Sequence, residues 1–325
     1  MTCKIQTDRP LVTFALFAYN QEDYIREAIE GAFAQTYEPL EIILSDDCST
    51  DRTFEIMKEV AATYEGPHEV LLRQSNLNGG IASHFTEVVG LATGKFIVLA
   101  AGDDISLRQR AVASTKPLIE NKALNFTEVI AMNFAGEKSE IEFPDDSDTG
   151  ANGGDLTVFS LDDYVTGRAP SLIGAARTIR KSSFLEFPVL DPKCPTEDTP
   201  SVLRMLMLGG GAKIPKTLLL RRMHANNLST TGFGNPSSFA AIEMQYRNDI
   251  RFMLRANRID STVAQELLKW AQDRTIKKSQ GALFSVTDSR TKKFLKLLAT
   301  NEISTHKKLV SIVGQFSRML RKKSD

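Results

Sequence analysis

The sequence predicts an α/β protein in which a mostly parallel sheet is flanked by helices and followed by a helical C-terminal region. Two observations support this prediction. Between residues 11 and 101, short apolar runs alternate with segments whose apolar residues recur every three or four positions, the pattern of β-α-β units. From about residue 235 the strand pattern disappears, and the chain becomes helical in pattern and rich in Lys and Arg.

Four strands and three helices are predicted in order along the first part. The strands are the apolar runs at 11–18, 40–45, 69–73 and 95–101. The helices, whose apolar side chains fall on one face, lie at 24–33, 53–64 and 81–92. This order indicates strands that are buried on both faces of the sheet.

Beyond residue 110 the pattern is weaker. Residues 121–160 are mixed, and the polar segment 144–155 is predicted to be a mobile loop, because its acid and glycine spacing does not fit a calcium loop. A strand leading into a helix follows at 171–184, and a helix with Pro200 in its first turn comes next. The last predicted strand covers 216–224.

Composition excludes several classes of protein. The chain has 325 residues, 42% hydrophobic and 25% charged, as in a globular protein, and a net charge of zero, which argues against a nucleic-acid binder. No apolar run approaches the ~18–20 residues of a membrane span, and the N-terminus lacks the apolar segment of a signal peptide. The cysteines are interpreted as reduced thiols, so we expect a cytoplasmic protein: Cys3, Cys48 and Cys194.

The charge is unevenly distributed. From Arg274 to the end there are 13 Lys and Arg and three acids, a net charge of +10, so the rest of the chain carries −10. An apolar stripe runs along the last predicted helix, from Leu309 to Leu320. We favour packing of this helix on its own domain. The alternative is peripheral contact with an anionic membrane at its inner face.

Acidic pairs follow two of the predicted strands. Asp46 and Asp47 end the second strand, and Asp103 and Asp104 end the fourth, while Tyr19 follows the first. Ligands of open parallel sheets bind beyond the carboxyl ends of the strands. Carboxylates there suit a divalent cation, or a base and ribose, and both belong to a nucleoside diphosphate. Neither a P-loop nor a Rossmann glycine motif is present.

The motifs around these acids resemble those of family 2 glycosyltransferases, which have the GT-A fold. The resemblance is carried by "FALFAYNQEDYIREAIEGAFAQTYEPLEIILSDDCSTDRT", "NLNGGIA" and "GKFIVLAAGDD", and it covers roughly residues 10–110. It reappears at "TEDTP" and "RRMHANNLS".

The resemblance implies roles for the donor side. Tyr19 and Asp47 match positions that hold the nucleotide base, which favours a UDP-type donor. Asp103 matches the residue that contacts the ribose or a metal-bound water, and Asp104 matches the metal ligand. The chain departs from the fullest family pattern at Ala101, where a first Asp is often found.

The resemblance also implies roles on the acceptor side. Asp198 matches the catalytic base, and Glu197 is its nearest competitor. His224 matches a histidine near the metal and diphosphate. Arg221 and Arg222 are secondary candidates for diphosphate contact, although a solvated strand end is an equal alternative.

Each of these residues also has a purely structural interpretation. The acidic pairs after the strands could form turns or helix caps, and we interpret Asp46 in that way. Asp198 could be a simple helix-entry acid, and His224 an ordinary surface histidine. The resemblance is what favours function at these positions.

The sequence therefore predicts an inverting glycosyltransferase that uses Mg²⁺ or Mn²⁺ and a nucleoside-diphosphate sugar. The acceptor is expected to be a glycan or lipid-linked glycan hydroxyl in surface polysaccharide synthesis, such as O-antigen or capsule. We expect a GT-A domain at 1–234, with a nucleotide-sugar half at about 1–110 and an acceptor half at about 111–234, and a helical basic region at 235–325. The alternatives are a nucleotidyltransferase and a non-catalytic nucleotide-sugar-binding protein.

Overall fold

The structure is a computed structural model that describes residues 9–136, 155–225, 227 and 236–286. Residues 144–154 of the predicted loop lie outside the described residues, and so does the apolar stripe of the last predicted helix. Residues up to Thr275 form one compact unit, and residues from Ile276 form a second. The predicted boundary near residue 235 stays a prediction.

The first part of the chain alternates strands and helices as expected from the apolar periodicity. Its elements are β1 (Val12–Ala18), α1 (Ile25–Phe33), β2 (Leu40–Asp46), α2 (Thr53–Ala62), β3 (Glu69–Gln74), α3 (Gly80–Leu91) and β4 (Phe96–Ala101). Six of the seven residues of β1 are buried, which agrees with a strand covered on both faces.

The second part is less regular. Its elements are β5 (Ile105–Ser106), α4 (Arg110–Glu120), β6 (Leu124–Phe134), β7 (Thr157–Phe159), α5 (Leu161–Val165), a 3₁₀ turn (Gly174–Ala176), β8 (Arg177–Arg180), α6 (Lys181–Leu185), α7 (Asp198–Leu208), β9 (Gly210–Arg222), α8 (Pro236–Arg255) and α9 (Ser261–Val286). Pro200 lies in the first turn of α7, where the missing N–H has no helical partner to lose.

The nine strands of the described residues form one sheet in the order β3-β2-β1-β4-β8-β6-β9-β5, with β7 paired to β9. Within the first half, β1 pairs in parallel with β2 and with β4, and β2 pairs in parallel with β3, as predicted. However, β8 runs antiparallel to both β4 and β6, so the sheet as a whole is mixed. The α/β fold with C-terminal helices is confirmed, whereas parallel pairing is complete only in the first half.

Helices cover both faces of the sheet. Along β1, Val12, Phe14 and Leu16 pack with buried residues of α1 and α2, and Ala15 packs with α3 on the other face. This alternation follows from the two-residue period of a strand. Burial of each large apolar side chain stabilises the fold by about 1.5–3 kcal/mol, so the strand ends are fixed by a well-packed core.

A further apolar cluster joins α7, α8 and the first part of α9. Leu203 of α7 packs there with Tyr246 and Ile250 of α8 and with Leu267 and Ala271 of α9. No helix among the described residues is both long enough and apolar enough to cross a membrane. Cys48 and Cys194 are free thiols, and Cys3 lies outside the described residues.

Candidate functional site

The carboxyl ends of β1, β2 and β4 lie level with one another. Ala18 pairs with Asp46, and Phe17 pairs with Ala101. The backbone N–H of Asp47 donates to the carbonyl of Ala18 at 2.9 Å, so the acid after β2 is tied to the end of β1. The structure therefore brings the acidic residues after β2 and β4 to one edge of the sheet. Tyr19 lies at the same edge with 42% of its surface exposed.

Asp47 is held by the beginning of α3. Its two carboxylate oxygens accept the N–H groups of Gly79 and Gly80, each at 3.1 Å. The side chain is only 4% exposed, and burial raises its pKa, with the two glycine N–H groups acting in the opposite direction. Both oxygens of Asp47 thus already accept a backbone N–H group. The predicted contact with a nucleotide base would be a third hydrogen bond to this carboxylate.

Asp46 belongs to the loop after β2. One of its oxygens accepts the backbone N–H of Ser49 at 2.9 Å and the side-chain amide of Gln74 at 2.9 Å. The contact with Ser49 closes the turn between β2 and α2, and the contact with Gln74 ties this turn to the end of β3. The arrangement agrees with the structural interpretation of this residue.

Asp104 is buried beneath the site, with 5% of its surface exposed. Its Oδ1 accepts the backbone N–H of Arg222 at 3.0 Å. Burial, followed by the charge of the neighbouring Asp103, raises the pKa of Asp104 to about 7. A buried carboxylate beside a second one is unfavourable when ionised, and a cation would relieve that cost.

Asp103 contacts the segment that follows β9. Its Oδ2 lies 3.0 Å from Nε2 of His224 and accepts from Nδ2 of Asn227 at 3.3 Å. The ring of His224 packs against that of Tyr24, with centroids 4.7 Å apart. The structure therefore brings His224 to the acidic pair, as the resemblance implies, and its direct contact is with Asp103. Asn227 is a site neighbour that the sequence analysis did not identify.

Arg222 is committed to holding this end of the sheet. Its guanidinium donates to the backbone carbonyls of Asp103 and Gly136, at 3.3 and 2.7 Å, and to the carboxylate of Glu27. It also lies over the rings of Tyr24 and Phe134. Diphosphate contact by Arg222 would compete with these contacts, and the role of Arg221 stays a prediction.

Asp198 lies at the start of α7, half-exposed, and meets a buried arginine. Its Oδ1 is 2.6 Å from Nη2 of Arg177, and 31% of its side chain is exposed. Glu197 precedes it; burial, with the charge of Asp198 second, raises the pKa of Glu197 to about 7. Both acids predicted for the base thus lie at this helix start, and Asp198 is the one paired with a buried cation.

Two buried charges beside Asp198 were not predicted as site residues. Arg177 in β8 and Glu128 in β6 have no exposed side-chain surface, and Nη2 of Arg177 is 2.6 Å from Oε1 of Glu128. The only sequence signal was a charge inside each of two apolar segments, "FTEVI" and "AARTI". That signal does not show which charges meet.

A third buried cation joins the two sides of the site. Arg110 of α4 donates to the carbonyls of Leu99 in β4 and Ala175 in the 3₁₀ turn, each at 2.5 Å. It also donates to Oγ of Ser106 at 2.8 Å. Burial lowers the pKa of Arg110 to about 10, and the charge of Asp104 opposes this shift.

The described residues contain no cluster of three or more His, Cys, Asp or Glu side chains that could enclose a metal ion. Asp103 and Asp104 nevertheless present hard oxygen ligands, and burial together with the charge of Asp103 raises the pKa of Asp104 although Arg110 and Arg221 act in the opposite direction. Carboxylates of this kind suit a hard divalent cation such as Mg²⁺ or Mn²⁺.

Residues 13–134 match the family described as Glycosyl transferase family 2. The putative glycosyltransferase EpsE of Bacillus subtilis is 37% identical over 101 residues, which are 31% of this chain and 36% of EpsE. The putative teichuronic acid biosynthesis glycosyltransferase TuaG of the same species is 31% identical over 96 residues, 30% of this chain and 37% of TuaG. The chain spans about a quarter to a third of the length of the relatives it matches.

Solved structures agree on the fold. S. aureus TarS 1–349 in complex with UDP-GlcNAc superimposes with a TM-score of 0.63 at 14% identity, covering 87% of this chain and 78% of that chain. The mannosyltransferase PcManGT from Pyrobaculum calidifontis, in complex with GDP-Man and Mn²⁺, gives 0.53 at 14% identity, covering 90% and 81%. The match to glycosyltransferase family 2 thus covers residues 13–134, and the chain has the GT-A fold of these solved structures.

Proposed function

We propose that this protein is a metal-dependent, inverting glycosyltransferase that moves a sugar from a nucleoside-diphosphate donor to an acceptor hydroxyl. One observation carries the proposal. Thr178 of β8 pairs with Val98 of β4, so Arg177 lies beside the last residues of β4. The carboxylate of Asp198, bound to Arg177, is thereby brought toward β4, which ends at Ala101 shortly before Asp103 and Asp104.

Tyr19, Asp47 and Asp103 form the nucleotide-binding side of this proposal, and a UDP-type base is favoured. Asp104 would hold Mg²⁺ or Mn²⁺ together with His224, which contacts Asp103, while Asp103 would meet the ribose or a metal-bound water. When bound, the cation would act as a Lewis acid that neutralises the leaving diphosphate. The nucleotide-sugar complexes of TarS and PcManGT, one of them with Mn²⁺, support this type of donor and cofactor.

On the acceptor side, Asp198 is the general base of the proposal. A positioned carboxylate within reach of a hydroxyl takes its proton as the oxygen attacks. One direct displacement inverts the anomeric centre. Asp198 is partly exposed, whereas Asp104 is buried. An acceptor from solvent can therefore reach Asp198, as a general base requires.

The acceptor is proposed to be a glycan or lipid-linked glycan in surface polysaccharide synthesis, such as O-antigen or capsule. The name of TuaG supports polymer synthesis as the setting. A cytoplasmic enzyme with peripheral membrane contact through its basic C-terminal helix would suit a lipid-linked acceptor. That helix belongs to the residues outside the described ranges.

Nucleotide release from a panel of UDP- and GDP-sugars, with Mn²⁺ or Mg²⁺ present, tests the proposal. We expect one donor to be turned over, and we expect EDTA to stop the reaction. A thermal-shift screen should identify the same donor, because a ligand at 100 times its Kd adds about 2.7 kcal/mol. Stabilisation by a donor without any turnover, with or without candidate glycan acceptors, would instead indicate a binding protein. Pyrophosphate formed from a nucleoside triphosphate and a sugar phosphate would indicate a nucleotidyltransferase.

A further inference from the structure

Arg177 makes more contacts than a core ion pair requires. Its Nε and Nη2 donate to Oε1 of Glu128 at 2.9 and 2.6 Å. Its Nη1 donates to the carbonyl of Asp198 at 2.9 Å and to Oγ of Ser201 at 3.0 Å, and Nη2 also meets the carboxylate of Asp198. A guanidinium has five N–H groups, so these five contacts use its full donor capacity. Arg177 thus holds both the main chain and the side chain of the first residue of α7.

Glu128 in turn fixes the position of Arg177. Its second oxygen accepts the backbone N–H of Ile173 at 2.9 Å and lies 3.4 Å from Nζ of Lys213. Ile173 directly precedes the 3₁₀ turn Gly174–Ala176. One buried carboxylate therefore orients the guanidinium and the turn that borders the candidate base.

Gly174 closes the other side of the carboxylate. A Cβ placed at Gly174 would lie 2.9 Å from Cγ of Asp198 and 3.2 Å from its Oδ1. Real Cβ atoms essentially never approach another atom to less than 3.0 Å. The carboxylate is confined between the guanidinium and the turn, so its orientation depends on both.

We propose that Arg177 is a positioning residue for Asp198: it binds the carboxylate and holds it turned toward the acceptor hydroxyl, with Glu128 orienting Arg177 and Gly174 leaving the space. The inference rests on the proposed function, in which Asp198 is the general base. An opposite charge within hydrogen-bond distance favours the ionised form of a carboxylate. Fixed geometry matters because a displacement of ~1 Å can cost roughly 10²-fold in rate.

The pH dependence of turnover separates this role from simple core stabilisation. The charged and titratable groups that face Asp198 are Arg177 of β8, Glu128 of β6, Glu197 beside it, Tyr164 of α5 and Arg274 of α9. Within the described part of the chain, Arg177 is the one of these groups whose side chain directly contacts the carboxylate. Its removal should therefore have a larger effect on the acidic limb of the pH–kcat profile than loss of a cation elsewhere in the core.

The first experiment measures kcat, donor KM and the pH–kcat profile for Arg177→Met and Arg177→Lys. We expect Arg177→Met to lose about 10²-fold in kcat at little cost in donor KM and to move the acidic limb to higher pH. Arg177→Lys, which keeps the charge without the fork of donors, should leave the limb in place and restore part of kcat. An unmoved limb in Arg177→Met, with kcat lowered only by the unfolded fraction, would overturn the proposal.

Arg204→Met is the matched control. Arg204 is equally buried and binds Asp249 with two hydrogen bonds, at 2.8 and 2.7 Å, between α7 and α8. Its loss should destabilise the fold, but the folded fraction should keep the wild-type pH profile. A shift of the limb in Arg204→Met equal to that in Arg177→Met would count against a specific role for Arg177.

A second pair of variants leaves every charge in place, so that it remains informative if Arg177→Met does not fold. Gly174→Ala should lower kcat at least tenfold with donor KM unchanged, because the methyl group displaces the carboxylate. Gly90→Ala in α3, where the new Cβ would meet no atom within 4 Å, should behave as wild type. Wild-type kcat in Gly174→Ala would overturn the proposal.

Asp198→Asn, measured beside these variants, separates the two proposals. Wild-type turnover by Asp198→Asn would overturn both the base and its positioning. An inactive Asp198→Asn together with an unmoved profile in Arg177→Met would overturn the positioning role alone.

Discussion

The proposed donor and acceptor sides of the site hold their carboxylates in different ways. On the donor side, Asp47 and Asp104 are 4% and 5% exposed and accept backbone N–H groups. On the acceptor side, Asp198 is 31% exposed at its side chain and is held by a buried guanidinium. Backbone groups at strand ends suit a ligand-holding role, whereas an exposed carboxylate tied to a fixed cation suits proton transfer. The difference teaches that one sheet edge can hold carboxylates by separate means, which the proposed function assigns to donor recognition and to catalysis.

The largest expected effect is a loss of turnover caused by a change on the acceptor side alone. Asp198→Asn keeps the shape of the side chain but cannot take a proton, so kcat should fall about 10²–10⁴-fold with donor affinity little changed. The measurement is the transfer rate together with donor Kd. Glu197→Gln is the matched control and should retain most activity. If Glu197→Gln is the inactive variant instead, the base is the neighbouring acid.

Acid should weaken the donor half through His84, which is buried in α3 with Nε2 2.6 Å from Oγ of Ser45. Burial, and then the charge of Arg73, lower the pKa of His84 from 6.5 to about 4. As the pH falls, His84 is therefore protonated in the unfolded chain before it is protonated in the folded one. About 3 kcal/mol of folding stability, fully present above pH 6.5, should be lost as the pH falls toward 4. Urea unfolding across that range measures it. His84→Gln should flatten this part of the slope, and an unchanged slope would show that other groups cause it.

A smaller effect should be confined to the donor side, through a change in donor affinity. Asp104→Ala removes the proposed cation ligand, so the affinity for the donor's nucleoside diphosphate in Mn²⁺ should fall about tenfold or more, equivalent to about 1.4 kcal/mol. Calorimetric titration in Mn²⁺ and in EDTA measures this. Asp198→Asn is the control and should bind as wild type does. Equal affinities for wild type and Asp104→Ala, with and without metal, would contradict the cation role.

The smallest effect sharpens the contrast between buried and exposed cations. Arg26 of α1 lies 3.2 Å from Glu59 of α2, with 54% and 50% of their side chains exposed. Exposed pairs are worth about 0–1 kcal/mol, so Arg26→Gln should change the free energy of unfolding by no more than about 0.5 kcal/mol. Chemical denaturation measures it, with Arg204→Met as the buried counterpart. A loss of several kcal/mol in Arg26→Gln would contradict the distinction.

The donor side was predictable from sequence because its signals are local. Continuous apolar runs predict β1 to β4, and acids that directly follow β2 and β4 must lie at the shared carboxyl edge of parallel strands. The contact between His224 and Asp103 was implied only by the resemblance to the family, since the two residues are 121 positions apart.

The acceptor side was less predictable because its polar residues pair over long distances. Glu128 and Arg177 interrupt apolar segments, and they are 49 residues apart. In β6, the buried side chains of Asn125 and Thr127 likewise donate to the backbone carbonyls of Met205 and Ser114. Because these polar residues interrupt the apolar pattern, the sequence did not predict this eleven-residue strand. A single sequence shows that such charges exist, but the antiparallel register of β8 decides that they meet.

Arg110 has a consequence for attempts to exchange parts between relatives. Its guanidinium binds a carbonyl of β4 and a carbonyl of the 3₁₀ turn, so one buried side chain spans the point where the two halves of the domain would be cut. A chimera joined near residue 110 would bring this cation against a foreign partner surface. A chimera that keeps Arg110 together with both of its carbonyl partners would retain these hydrogen bonds. The two halves of the domain therefore cannot be exchanged independently of each other.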